Sequence, residues 1–277
     1  CYRFLLLTIL NEVKKMKIRK FNNIEIKFSA GNHRYYVNDD GKKISPSSVS
    51  GIVQGDDGFT IGALAGRKNY LETLVEELPN SGLLRVNDLT DLQEKLFEIK
   101  KLAEKKWNDQ KVIGTIIHSF CENFLKGTMS ETGYHKGHDE KDNQIRLMQY
   151  ALYEYLNKSV RKVHAVEYLV YDNSILPYAG QFDCWIDHAK YGECIIDWKT
   201  VTKKSVGTKW RIQLCGYMYA LCNELGREPF NRLIVAIDKD TKEIKEYLYD
   251  VDSYVRDLEV WKNYLQIHHF LKAKNDD

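Results

Sequence analysis

Between Glu167 and Tyr217 the chain reads as strand, turn, strand, turn, strand, basic loop and helix, with polar residues where a purely structural sequence would carry apolar ones. Two strand-like segments constrain the fold most: Tyr178-Ala-Gly-Gln-Phe-Asp183-Cys-Trp-Ile-Asp187 and Glu193-Cys-Ile-Ile-Asp197-Trp-Lys199-Thr200. Side chains alternate along a strand, so Asp197 and Lys199 project from one face and Ile196 and Trp198 from the other. On the preceding strand the same alternation predicts Asp183 beside Gln181 and Trp185, with Phe182, Cys184 and Ile186 opposite. Paired as neighbours, the two strands would bring Asp183, Asp197 and Lys199 to one point.

Two adjacent carboxylates repel unless a cation or a proton sits between them. Hard divalent cations such as magnesium prefer carboxylate oxygens and leave room for water and phosphate. A lysine two residues beyond one ligand can orient the attacking water or stabilise charge on the attacked phosphate. The three residues therefore point to metal-assisted phosphodiester hydrolysis.

An Asp-x-Lys on a strand is by itself usually a solvated, salt-bridged face, and the neighbouring residues change that reading. The segment Trp210-Arg-Ile-Gln213-Leu-Cys-Gly-Tyr217-Met-Tyr-Ala220 has helical spacing, which puts Gln213 and Tyr217 on one face. Upstream lies Ile113-Gly114-Thr115-Ile-Ile-His118-Ser-Phe-Cys-Glu122, also helical, with Glu122 one turn beyond His118. Glu122 reads equally well as a further acid and as a surface residue.

The ordered set Gly114-Thr115…His118, Gly180-x-x-Asp183, Asp197-x-Lys199 and Gln213-x-x-x-Tyr217 resembles the PD-(D/E)XK nuclease superfamily, in particular its RecB-like exonuclease branch, from about His33 to Tyr217. The resemblance implies an α/β fold: a central mixed sheet flanked by helices, a restriction-endonuclease-like core, with an N-terminal β-hairpin and a helical insertion. It implies that His118, Asp183, Asp197 and the Trp198 carbonyl hold Mg2+ or Mn2+, and an imidazole among oxygens suits manganese. Lys199 would then position water or stabilise the transition state, Gln213 and Tyr217 would orient Lys199 or touch the DNA backbone, and Glu167 would assist a second ion or a water. Some relatives hold an iron-sulfur cluster through one upstream cysteine and three after the Gln-x-x-x-Tyr motif. Only Cys222 follows Tyr217, so no cluster is expected.

The function expected is a metal-dependent, sequence-nonspecific DNA exonuclease of recombination, replication or repair. The alternatives are a structure-specific endonuclease on the same core and a non-catalytic DNA-binding subunit derived from it. The expected partner is DNA, held through its backbone, and a recombination or single-strand-binding protein is a candidate second partner. An intracellular setting is expected, in a bacterial or phage-infected cytoplasm or in an organelle.

The 277 residues can bury a full core, and a formal charge of +2 excludes a bulk polycation. A nucleic-acid surface must therefore be local. Its best candidate is the acid-free run holding Lys199, Lys203, Lys204, Lys209 and Arg211. The six cysteines form no C-x-x-C pair and read as reduced, mostly buried thiols.

Residues 1–15 begin with an apolar run too short to span a bilayer, no membrane segment is expected, and they read as an extension upstream of Met16. The rest, 16–277, reads as one domain: a hairpin region (16–58), a helical region (59–160), and a catalytic sheet with a closing helix (161–277). Strands are expected at Ile24–Phe28, Arg34–Val37 and Lys43–Ile44, with a turn at Asn38–Gly41 and a helix-capping run at Ser45–Ser50. Helices are expected over Ile61–Leu78, Asp88–Asn108, Val112–Leu125 and Asn143–Lys158, with a surface loop at Lys126–Asp142. The first strand of the sheet, His164–Tyr171, should carry Glu167 on the face of Ala165 and Leu169. Strands Arg232–Asp238 and Glu243–Tyr249 close the sheet, and a helix over Val251–Ala273 should turn Val255, Leu258, Trp261, Leu265 and Phe270 to the core.

Overall fold

The computed structural model describes residues 16–30, 33–54, 73–74, 89–128, 134–135, 139–202 and 207–273. The expected helix over Ile61–Leu78 and the basic pair Lys203 and Lys204 lie largely or wholly outside the described residues.

Four short strands come first: β1 (Met16–Phe21), β2 (Ile24–Ser29), β3 (Arg34–Asp39) and β4 (Lys42–Ile44), antiparallel in that order. The β3–β4 connection is the expected turn: Asp40 and Gly41 both take positive φ, 47° and 84°, and Asp39 pairs with Lys42. A two-residue turn of this kind matches the natural strand twist. A short strand β5 (Ser47–Ser48) leads into helix α1 (Val49–Gln54), where the Gly51 N–H donates to Ser48 Oγ at 2.9 Å, as the capping run predicts.

Helix α2 (Leu89–Leu125) is one 37-residue helix where the sequence suggested two. No proline interrupts it, and Gly114, towards its C-terminal end, faces strand β8 (Gly192–Val201), where an added Cβ would sit 3.5 Å from Thr200 Oγ1. On its outer half Ala103 is buried rather than Leu102, which is 42% exposed. Helix α3 (Glu140–Ser159) starts three residues earlier than the apolar spacing indicated. Asp139 caps it by accepting the Asp142 N–H at 2.7 Å, and Asp142 returns the bond to the Asp139 N–H. Ile145, Met148, Leu152 and Leu156 form its buried face, as expected.

The central sheet contains β6 (Val160–Asp172), β7 (Tyr178–His188), β8, β9 (Asn231–Asp238) and β10 (Ile244–Tyr249). Its order is β10-β9-β8-β7, with β6 antiparallel on β7, the short β5 parallel to the start of β7, and β8 parallel to β9. Helices α4 (Thr208–Leu225), α5 (Tyr254–Ala273) and α1 share one core with the sheet, while α2 and α3 share a second. A third, smaller core joins the N-terminal sheet to Leu169, Tyr171 and Ala179. The mixed α/β class with helices on both faces and a separate antiparallel N-terminal sheet agrees with expectation.

Helix α5 turns Leu258, Trp261 and Leu265 to the core as expected and departs from its predicted face at Val255 and Phe270. Val255 is 70% exposed and Phe270 61%, while Tyr254, Asp257, Trp261, Leu265 and His268 are buried. Asp257 takes a core position because two arginines meet it: Arg211 Nη2 at 2.8 Å and the fully buried Arg232 Nη1 at 3.0 Å. Desolvated charges of opposite sign persist in pairs, and hydropathy spacing does not register them.

Candidate active site

Strands β7 and β8 pair from His188↔Gly192 to Cys184↔Ile196. Beyond that point β8 follows β9, and β5 joins the start of β7. Where the ladder ends, the Trp198 N–H donates to Asp183 Oδ2 at 2.7 Å, so a side chain satisfies a main-chain donor in place of the strand.

The same seam runs through β6. Val166 and its partner Cys184 belong to the core under α2 and α3, whereas Tyr168 and its partner Phe182 belong to the core under α4. Side chains two apart on a regular strand share a face. The change of side falls at Glu167, whose φ is 55°, and at Asp183, which stands opposite it in register. This corrects the predicted strand faces: Phe182 does not share a core with Cys184 and Ile186, and on the neighbouring β6 the left-handed backbone at Glu167 marks the same change of side.

Asp183, Asp197 and Lys199 do converge here, joined by His118. Asp183 Oδ1 lies 3.3 Å from His118 Nδ1, delivered by α2. Asp197 Oδ2 lies 2.5 Å from Lys199 Nζ, and the Lys199 ammonium stands 5.4 Å from the centroid of the Trp210 ring in the first turn of α4. Gln213 Nε2 donates to the Tyr217 hydroxyl at 2.8 Å, one turn apart on that helix. Tyr217 is buried with its ring against Gly180, where an added Cβ would come within 2.4 Å of Tyr217 Cε1. The first residue of Gly-x-x-Asp and the last of Gln-x-x-x-Tyr are thus complementary in shape.

Burial and charge act in opposition through the site. Burial lowers the His118 pKa, but the Asp183 carboxylate beside it prevails and holds it at about 8. Burial raises the Asp183 pKa, yet His118, Lys199 and the Trp198 N–H together bring it below the usual carboxylate range. For Asp197, burial aided by the Asp183 charge outweighs Lys199, and its pKa is raised. Glu167 is also raised, by burial first and by Asp183 and Glu122 against the opposing Lys17. Burial moves the Tyr217 phenol far upward, with Tyr35, Asp197 and Asp183 adding to it.

Among the described residues no three His, Cys, Asp or Glu side chains stand together at the spacing of a metal-ion cage. The donor set nevertheless suits a hard divalent ion: Asp183 and Asp197 contribute carboxylates and His118 an imidazole, and the buried Asp197 Oδ2 is met by a cation, the Lys199 ammonium.

Other expected residues fare differently. Arg211 is turned away from the site: its Nε donates to Asp257 Oδ2 at 2.8 Å and its guanidinium lies 4.9 Å from the Tyr249 ring centroid. Its charge is engaged with a buried carboxylate, so the structure does not place it as a phosphate contact. Lys209 is half-buried in the first turn of α4. Glu122 pairs with Lys126 Nζ at 2.5 Å on the outer turn of α2. His135 meets Asp142 at 2.6 Å. The five described cysteines are free and buried.

Lys17, Gln181 and Trp210 reach the site without having been singled out as participants. Lys17 Nζ donates to Glu167 Oε2 at 2.7 Å from β1, and Gln181 Nε2 bonds the same carboxylate and, at 3.3 Å, the Glu167 carbonyl. Gln181 was legible as a strand neighbour of Asp183. For Lys17, 150 positions before its partner, no local signal exists.

No curated protein matches the chain. Among solved structures, one titled "Crystal structure of SSO0001" aligns at 17% identity over 75% of this chain and 86% of that chain, with a TM-score of 0.32, a level at which likeness carries no argument. The family model of the PD-(D/E)XK nuclease superfamily matches residues 93–274, a span that runs from α2 through the seam to the last turn of α5. The chain belongs to the PD-(D/E)XK nuclease superfamily.

Proposed function

We propose that this chain is a metal-dependent deoxyribonuclease, a sequence-nonspecific exonuclease of the RecB-like branch. The observation that carries the reading is the convergence of His118, Asp183, Asp197 and Lys199 where β7 and β8 separate. Asp183, Asp197, His118 and the Trp198 carbonyl would hold Mg2+ or Mn2+. When bound, such an ion polarises the scissile phosphate and makes a nucleophile available at neutral pH.

The chain's own residues supply the rest. Asp183 is fixed by the Trp198 N–H, so its free lone pairs are directed before substrate arrives. Lys199, held against Asp197 and under Trp210, brings an ammonium to where charge builds on the phosphate oxygens. Glu167, opposite Asp183, offers a carboxylate to the attacking water. Tyr217, bonded by Gln213 and seated on Gly180, supports β7 beneath Asp183. DNA would be engaged through its phosphates, with Lys209 and the basic sequence run that includes Lys203 and Lys204 as guides.

The test compares the full chain with Lys199→Ala on end-labelled linear DNA, single- and double-stranded, and on closed circles, with Mg2+, Mn2+ or EDTA. Metal-dependent loss of linear DNA alone, absent in the variant, supports the exonuclease and gives its polarity. Cleaved circles replace it with an endonuclease. Folded protein that binds DNA without cleaving it replaces both with a binding subunit.

A further inference from the structure

The N-terminal sheet does more than cover the core. Its first strand presents Lys17 and Arg19, two residues apart and therefore on one face, to the segment of β6 where the strand changes sides. Arg19 Nη1 donates to the Leu169 carbonyl at 2.7 Å and to Glu224 at 2.8 Å, and Arg19 also meets the Tyr168 hydroxyl. Its guanidinium lies 3.9 Å from the Tyr168 ring centroid. This anchors β1 along residues 167–169. Lys17 then reaches Glu167, and Gln181 on β7 donates to the same carboxylate oxygen, Oε2.

Glu167 needs such holding. A non-glycine residue at φ 55° is strained and persists only where its surroundings over-determine it. Its side chain is only 16% exposed and stands opposite Asp183, a second carboxylate that repels it. Left to itself, a regular strand would restore the alternation and move this carboxylate off the seam.

We infer that Lys17 is a positioning residue of the active site: by clamping Glu167 in its left-handed conformation opposite Asp183, the N-terminal sheet completes the carboxylate set on which cleavage depends. The inference rests on the nuclease reading for its kinetic consequence and on geometry for the clamp itself. Lys17 acts through Glu167, so its effect should require Glu167.

The experiment uses the full chain as wild type, Lys17→Met, Lys17→Arg, Glu167→Gln and the Lys17→Met/Glu167→Gln double variant. Thermal unfolding first establishes that each is folded. On linear DNA we expect Lys17→Met to lower kcat about tenfold with KM within about twofold, Lys17→Arg to recover most of the loss, and the double variant to match Glu167→Gln alone. A raised KM with unchanged kcat and a weaker salt dependence would make Lys17 a phosphate contact and overturn the inference. Multiplying effects in the double variant, or unchanged kcat despite lowered stability, would overturn it as well. Mn2+ binding by calorimetry gives a reading independent of turnover: Lys17→Met should change the dissociation constant about threefold when Glu167 is present and not at all in Glu167→Gln. Inactive wild type with that dependence intact fails the nuclease reading and leaves the clamp standing. Active wild type whose Mn2+ response to Lys17→Met persists without Glu167 fails the clamp alone.

Discussion

Trp198 and Asp183 are joined by one hydrogen bond, main-chain N–H to carboxylate at 2.7 Å, at the place where strands β7 and β8 cease to pair. The bond compensates for the missing strand contact and at the same time aims a charged oxygen into the resulting gap. Opening a sheet leaves its donors unpaired, and here the carboxylate that satisfies one of them is also the residue around which the site is built.

Asp183→Asn should remove the charge that this arrangement concentrates. Cleavage is expected to fall by at least about a hundredfold, the scale of losing one electrostatic stabiliser, with a native circular-dichroism spectrum. Turnover on linear DNA within tenfold of wild type would contradict the site.

Asp197→Asn should separate activity from stability. The raised pKa of Asp197 means that its ionised form is disfavoured in the fold, so stability declines as pH rises through its titration. The amide cannot ionise. The variant is expected to be inactive yet at least as stable as wild type at pH 8, and less advantaged at pH 4, by urea unfolding at both pH values.

His118 supplies the opposite sign. Its folded pKa of about 8 exceeds the ordinary imidazole value, so its contribution is complete below about pH 6.5 and is lost as pH rises through about 8. His118→Gln should cost about 1 kcal/mol at pH 6, a value discounted because a third of the side chain meets solvent, and close to nothing at pH 9. Urea midpoints in EDTA at the two pH values measure the difference.

Gly180→Ala should destabilise by about 1–3 kcal/mol, because the new methyl group meets the Tyr217 ring at 2.4 Å and Val49 at 2.8 Å. Placed in a Tyr217→Leu background, the same substitution should cost measurably less. Equal penalties in the two backgrounds would show that the clash lies elsewhere.

Asp257→Ala should cost about 3–5 kcal/mol, since it leaves the fully buried Arg232 and its neighbour Arg211 without their shared carboxylate. Arg211→Ala should leave the salt dependence of DNA binding unchanged, whereas Lys209→Ala should reduce its slope by about one phosphate contact. Anisotropy titrations over a salt series distinguish the two residues.

Much of this was legible before any coordinates. Asp197 and Lys199 share a strand face because they are two residues apart, Gln213 and Tyr217 meet because they are one helical turn apart, and the buried face of α3 follows from its apolar spacing. The misread positions depend on distant parts of the chain. Asp257 is charged and buried because the partners that decide its burial, Arg211 and Arg232, come from other elements. Helix α2 runs unbroken across 109–111, where two helices were expected to meet, and neither proline nor glycine stands there to stop it.

The order and spacing of its chemical groups were therefore settled by the sequence alone, since covalent geometry and the strand and helix periods act over a few residues. Tertiary structure alone decided that β6 and β7 change sides at Glu167 and Asp183, that β7 and β8 part at Trp198, and that Lys17 reaches across 150 positions to the seam. A left-handed φ at a glutamate and an ion pair between separate sheets are not local preferences. They are held in place by contacts that exist only once the whole chain has packed.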